Sequence, residues 1–182
     1  NRSNAKTKMK IWNNENVDYI MSKPKLPGVP DNAIISLDSG IHHNWFMQFW
    51  EARQPQTMLN TWGYSGMGFG PSSILGAKLA APDRPCVAIC GDGGFTMVPH
   101  VLCTAVEYNI PVVWVVWNNF AWAAIRDLQY AYFDGREIGT AFYHGEKKEP
   151  YNPDFAAWAR AAGVSAHTVT RSQDFAGVLA EA

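Results

Sequence analysis

The chain has 182 residues, a formal net charge of −1 and 47% hydrophobic residues. That length supports one domain with a substantial core. The balanced charge contains no basic block, which argues against a nucleic-acid or membrane-surface partner. No apolar run reaches the roughly 18 residues of a membrane span, and no signal-peptide pattern opens the chain.

Three cysteines, Cys86, Cys90 and Cys103, are odd in number and sit in apolar runs. They read as buried free thiols in a reducing compartment, so a cytoplasmic location is expected.

Residues 1–30 are polar and then punctuated by Pro24, Pro27 and Pro30. They read as a linker or covering segment, with one domain over residues 31–182. Residues 33–37 form a short apolar run ending in the turn signal Asp38-Ser39-Gly40. Residues 42–52 place Trp45, Phe46, Phe49 and Trp50 at helical spacing. Gly63, Gly66, Gly68 and Gly70 make a glycine-rich stretch, and Pro71 opens a small-residue helix. Residues 85–90 read as a strand, 95–108 as a helix and 110–117 as a Val-rich strand. A helix follows over 121–130, then a polar loop over 135–149. A helix over 154–162 is closed by Gly163, and a strand over 164–169 precedes a helix over 173–182. Continuous apolar strands alternating with helices predict a three-layer α/β fold: a doubly wound parallel sheet with helices on both faces.

In such a sheet, ligands bind outside the carboxyl ends of the strands. Asp92 follows one predicted strand and Asn119 follows the next, 27 positions later. A right-handed crossover brings these ends side by side. Gly91, Gly93 and Gly94 permit unusual backbone angles and close approach of a ligand. Their N–H groups precede a helix, whose N-terminus favours an anion. Mg²⁺ takes few protein oxygens together with phosphate oxygens. The Asp92 and Asn119 side chains and one backbone carbonyl suit a divalent cation carrying a diphosphate.

The segment from Gly91-Asp92-Gly93 to Asn118-Asn119 resembles the thiamine-diphosphate binding motif, GDG followed by about two dozen residues and NN. The wider resemblance, over roughly residues 31–180, is to the diphosphate-binding domain of the acetolactate synthase and 2-oxoacid decarboxylase superfamily. Three further segments match in order. Asp38 to Trp45 resembles the segment that contacts the diphosphate, which implies that role for Gly40, Ile41, His42 and His43. Ile41 and His43 stand where the family often has Gln, so side-chain donation at Ile41 is excluded. Trp62 to Pro71 resembles the glycine-rich segment whose central apolar side chain props the cofactor in its bent conformation. Met67 takes that place, and the backbone around Gly66 would hold the pyrimidine ring. Asn118 to Trp122 resembles the metal-ligand end. The resemblance implies metal ligation by the Asp92 and Asn119 side chains and the Ala121 carbonyl. It implies cofactor contacts from Gly91, Gly93, Gly94, Phe95 and Trp122, with Asn118 buttressing the turn.

The cofactors implied are thiamine diphosphate and Mg²⁺. The family's essential glutamate lies on a separate pyrimidine-binding domain, usually of a neighbouring subunit, and no segment here resembles that domain. The chain therefore reads as part of a longer or partnered enzyme, with one further apolar strand expected after residue 182. By itself it is expected to bind cofactor weakly and turn over nothing. A homo-oligomer acting on a small-molecule substrate is expected, with decarboxylation or carboligation of 2-oxoacids as its chemistry. A lyase or hydrolase of an acyloin or dione, or a non-catalytic scaffold subunit, are the alternatives. Phe120, Trp122 and Ile125 are candidates for the pocket border. Arg126 could hold a substrate carboxylate, although an ion pair is the plainer role, and His100 reads as structural. Val101 replaces a frequent family acid, which weakens a strict acetolactate synthase assignment. A nicotinamide-binding domain is disfavoured, because Gly91-Asp92-Gly93-Gly94 lacks the GxGxxG spacing.

Overall fold

A computed structural model of the chain describes residues 8–13, 26 and 28–182. Six parallel strands form one sheet in the order β3-β2-β4-β5-β1-β8. They are β1 (Lys8–Asn13), β2 (Ile34–Leu37), β3 (Met58–Asn60), β4 (Cys86–Gly91), β5 (Val113–Asn118) and β8 (Ser165–Val169). The helices are α1 (Ile41–Phe49), α2 (Phe69–Ala80), α3 (Asp92–Phe95), α4 (Val101–Glu107), α5 (Ala123–Tyr132), α6 (Phe155–Ala161) and α7 (Ser172–Ala180). A small hairpin, β6 (Tyr143–His144) with β7 (Glu149–Pro150), lies between α5 and α6.

Alternation along the central strands splits the core into two layers. Ala88, Cys90, Trp114 and Val116 point to one face, where they meet Ile74, Phe95, Leu102 and Phe155. Val87, Ile89, Val115 and Trp117 point to the other, where they meet Phe46, Phe175 and Leu179. The expected three-layer arrangement with helices on both faces is the observed one. Trp114 is fully buried, and its indole N–H donates to the Pro71 carbonyl at 3.0 Å, which ties β5 to the first turn of α2.

The element positions differ from expectation where proline or long-range pairing intervenes. The single helix expected over 95–108 is two, because Pro99 falls between α3 and α4 and cannot donate to a helical ladder. The chain crosses this break through short turns, with Val98 N–H donating to Phe95 O at 3.1 Å and Val101 N–H to Val98 O at 3.1 Å. The linker reading of residues 1–30 did not anticipate β1, which pairs with both β5 and β8. The Pro24 and Pro27 parts of that reading lie outside the described residues. Strand β3 was not anticipated, and the polar loop over 135–149 contains the β6–β7 hairpin.

Candidate functional site

The strands β4 and β5 pair in parallel, with Gly91 opposite Trp117. The residues just past that pair, Asp92 and Asn118-Asn119, therefore emerge together at the carboxyl edge of the sheet. A cavity of about 550 Å³ opens there. Its lining includes Gly40, Ile41 and His42 from the β2–α1 junction and Met67 from the glycine-rich loop. Gly91, Asp92, Gly93 and Gly94 line it from the β4–α3 turn, and Asn119, Ala121, Trp122 and Ile125 from the β5–α5 turn. Four stretches separated in sequence thus converge on one concavity.

Other expected positions fall elsewhere. His43, Gly66 and Phe95 are not among the lining residues, nor are Phe120 and Arg126. His43 is buried against the Trp62 ring, with centroids 4.9 Å apart. The Phe95 side chain points into the core and meets Phe155 edge-on. His100 is exposed ahead of α4. The wall opposite the polar floor is aromatic: Trp45 and Trp117 line the cavity with ring centroids 5.7 Å apart. Tyr64 and Met97 are exposed at its rim.

The three glycines of the β4–α3 turn matter for space. None of them has a positive φ, which corrects the expectation of unusual backbone angles. A Cβ on Gly93 would collide with the Trp122 indole, and one on Gly94 with the Asp38 carboxylate. The unusual angle belongs to Phe120, at φ 56°, a left-handed conformation that non-glycine residues rarely adopt. It bends the chain between Asn119 and Ala121. Asn118 Oδ1 accepts from Phe120 N–H at 3.3 Å, and Asn119 Oδ1 from Ala121 N–H at 3.1 Å. These side chains thus stabilise the turn that carries them.

Asp92 is almost completely buried. Burial pushes its carboxyl above the ordinary value, opposed by hydrogen bonds from Gly93 N–H and the Asn152 amide. The Gly93 N–H lies 2.9 Å from Oδ1 and the Asn152 Nδ2 lies 2.6 Å from Oδ2.

Asp38, which the sequence presents as part of a turn, is a second buried carboxylate. It accepts from Gly68 N–H at 3.1 Å and Gly70 N–H at 3.2 Å, fastening the glycine-rich loop to the end of β2. Burial raises its pKa, and the four backbone amides around it oppose that shift. Neither this linchpin nor Asn152 has a local sequence signal, because each bonds partners 30 or more positions away.

His42 is 2% exposed. Burial, reinforced by the charge of His43 and opposed by a hydrogen bond with the Asp38 backbone, lowers its pKa to about 4. It is neutral at pH 7, lines the cavity, and its Nε2 has no hydrogen-bond partner. A buried polar atom without a partner is a ligand contact in waiting.

These features fit a cation and a diphosphate. Asp92 and Asn119 offer hard oxygens. Gly91, Gly93 and Gly94 line the cavity at the start of α3, and His42 Nε2 is unsatisfied. No group of three or more His, Cys, Asp or Glu that could hold a metal by itself occurs among the described residues.

Residues 38–182 match the family model described as thiamine pyrophosphate enzyme, C-terminal TPP binding domain. A probable acetolactate synthase large subunit from Methanococcus aeolicus is 32% identical over 151 residues, 83% of this chain and 24% of that protein. The acetolactate synthase large subunit of Corynebacterium glutamicum is 33% identical over 146 residues, 80% of this chain and 23% of that protein. A 3D-(3,5/4)-trihydroxycyclohexane-1,2-dione hydrolase from Bacillus subtilis is 28% identical over 154 residues, 85% of this chain and 24% of that protein. Among solved structures, a thiamine diphosphate-dependent 4-hydroxybenzoylformate decarboxylase from Rhodococcus jostii superposes with a TM-score of 0.74 at 27% identity, over 85% of this chain and 28% of that one. The chain spans about a quarter of the length of the relatives it matches. From its second strand's carboxyl end onward, it belongs to the thiamine pyrophosphate enzymes as their C-terminal TPP binding domain.

Proposed function

We propose that this chain is the diphosphate- and Mg²⁺-binding part of an acetolactate synthase-like enzyme that decarboxylates or carboligates 2-oxoacids. One observation carries the site reading. Asp92 and Asn119 leave adjacent strand ends and line one cavity with Gly91, Gly93, Gly94 and the unsatisfied His42. In this reading Asp92, Asn119 and the Ala121 carbonyl hold the cation. Gly40, Ile41, His42, Gly93, Gly94 and the Phe95 backbone line the diphosphate. Met67, exposed to 38% and reaching toward Gly93, supports the bent cofactor. Trp122 completes the surround, while Gly66 and His43, outside the lining, flank it in sequence. When bound, thiamine diphosphate supplies the electron sink for making or breaking a carbon–carbon bond beside a carbonyl. This chain's residues bind and orient it, and their aromatic wall excludes water from one side.

A pyrimidine-binding domain, of this or a neighbouring subunit, completes the site in an oligomer. The support is the uncovered apolar rim. Tyr64, Trp122 and Ile125 are exposed at the cavity, and Leu128, Tyr132 and Phe133 continue the surface along α5. The B. subtilis relative favours one second reading, a lyase or hydrolase of a dione or acyloin in the same site. The cytoplasm suits three free cysteines; Cys86 and Cys90 are buried as expected, whereas Cys103, on α4, is exposed, which corrects the reading of all three as buried. No helix among the described residues is long and apolar enough to cross a membrane.

Calorimetric titration of the full-length protein with thiamine diphosphate, with and without Mg²⁺, tests the site. Metal-dependent binding is expected to be lost in Asp92→Ala. Unchanged binding in that variant would reject the metal assignment. Product analysis across 2-oxoacids, acyloins and diones then separates the two chemistries, and tight binding without turnover of any would indicate a scaffold.

A further inference from the structure

Asn152 lies at the end of the long connection from α5 to α6, two residues before Asp154 caps α6. Its Nδ2 donates to Asp92 Oδ2 at 2.6 Å and to Asn118 Oδ1 at 2.6 Å. A primary amide carries two N–H bonds, and here each has its own acceptor. The two acceptors come from the ends of β4 and β5. Without a donor between them, a carboxylate oxygen and an amide oxygen would face each other at the floor of the site.

The side of approach matters. Asp92 and Asn119 line the cavity, whereas Asn118 and Asn152 do not. Asn152 therefore bonds the carboxylate without itself entering the cavity, alongside the Gly93, Phe120 and Ala121 backbone amides that also support it. A carboxylate's terminal torsion is broad and poorly restrained by itself. Asn152 from one side and Gly93 N–H from the other hold both Asp92 oxygens in place. Through Asn118, the same amide supports the turn at Phe120, whose left-handed backbone presents Asn119 and Ala121.

The connection that carries Asn152 is itself fastened to that turn. Phe142 N–H donates to Phe120 O at 2.8 Å, and Trp122 N–H donates to Thr140 O at 2.9 Å. Gln129 on α5 holds Ile138 and Thr140 from below. The strap over 133–152 thus grips the β5–α5 turn at its middle and the Asp92 carboxylate at its end.

We propose that Asn152 is a positioning residue for the cation site: it sets the Asp92 carboxylate and the 118–121 turn so that their oxygens converge on a divalent cation. This rests on the metal reading of Asp92 and Asn119 above. Outer partners of metal-ligating groups are worth about 10–100-fold in metal affinity.

The test is Mn²⁺ binding to the full-length protein at saturating thiamine diphosphate, followed by the Mn²⁺ paramagnetic resonance signal, with urea unfolding measured alongside. Asn152→Ala is expected to weaken Mn²⁺ binding about 10-fold or more. Asn152→Ser, with one donor instead of two, is expected to fall between it and the unaltered protein, and serves as the readout if the alanine variant does not fold. Asn118→Ala combined with Asn152→Ala should weaken binding by less than the product of the two single effects, because both act through one bridge. Mn²⁺ affinity within twofold of the unaltered protein in Asn152→Ala, or in Asn152→Ser where the alanine variant does not fold, with binding abolished in Asp92→Ala, overturns the role of Asn152 alone. A double variant whose loss is the full product of the single losses also overturns it. Unchanged binding in Asp92→Ala overturns the metal reading itself.

Discussion

The floor and the rim of the cavity are built in opposite ways. Asp92 on the floor and Asp38, packed against Gly94, are buried, and their oxygens are met by backbone amides or the Asn152 amide. At the rim, Tyr64, Met67, Met97, Trp122 and Ile125 are apolar and exposed. The floor satisfies its carboxylates within this chain and leaves the His42 Nε2 for a ligand. The rim leaves hydrophobic surface in water, so burial there must come from outside the chain. Cofactor anchoring and site closure are therefore separable in this protein, and substitutions in the two regions should differ in kind.

The largest effect on stability is expected at Asp38. Asp38→Ala leaves the buried Gly68 and Gly70 amides without acceptors, at about 1–3 kcal/mol each, partly offset because a carboxylate no longer has to be desolvated. A net loss of about 2–4 kcal/mol in urea unfolding is expected, with the Met67 loop loosened. A loss below about 0.5 kcal/mol would show that the loop is held by other contacts.

His42 comes next and appears as a pH effect. Its folded pKa of about 4 lies below its ordinary 6.5. Between these values the unfolded chain binds a proton and the folded one does not, so stability is full above about pH 6.5 and is lost as pH falls toward about 4. The difference is worth roughly 3 kcal/mol. Asp38 and Asp92 act the other way: with raised pKa values they favour the folded state on its acid side, and that help is lost as pH rises through their folded pKa values. The His42 contribution is therefore read by difference. His42→Asn should flatten the acid loss of the unfolding midpoint relative to the unaltered protein, and an identical pH profile would count against the buried neutral imidazole.

The smallest effect on the fold is expected at the rim. Ile125 and Leu128 are each more than half exposed. The double substitution Ile125→Ser with Leu128→Ser should change unfolding by about 0.5 kcal/mol or less. Sedimentation of the full-length protein should nonetheless show weakened association. If association is unchanged, the α5 surface is not the covered one.

Much of the frame was legible because its signals are local. Apolar runs at strand length, Asp154 before α6 and the left-handed Gly163 after it (φ +85°) place their elements within a few residues. Parallel pairing of β4 and β5 then follows from handedness, and it brings Asp92 beside Asn119 without further information. The glycine turn is crowded by the chain's own side chains, and those partners, Trp122 and Asp38, lie 29 and 56 positions from the glycines they meet and carry no periodic signature.

By itself, the sequence determined the α/β class, the order of most elements and the two oxygen-bearing residues at adjacent strand ends, since short-range patterning and chain handedness suffice for those. Only the tertiary structure decided that β1 enters between β5 and β8, that Asp38 ties down the Met67 loop, and that Asn152 reaches Asp92 across 60 positions. Each is a hydrogen-bonded union of distant segments. A single amide or carboxylate in a loop looks the same in sequence whether it meets water or a buried partner, and only the folded chain shows which.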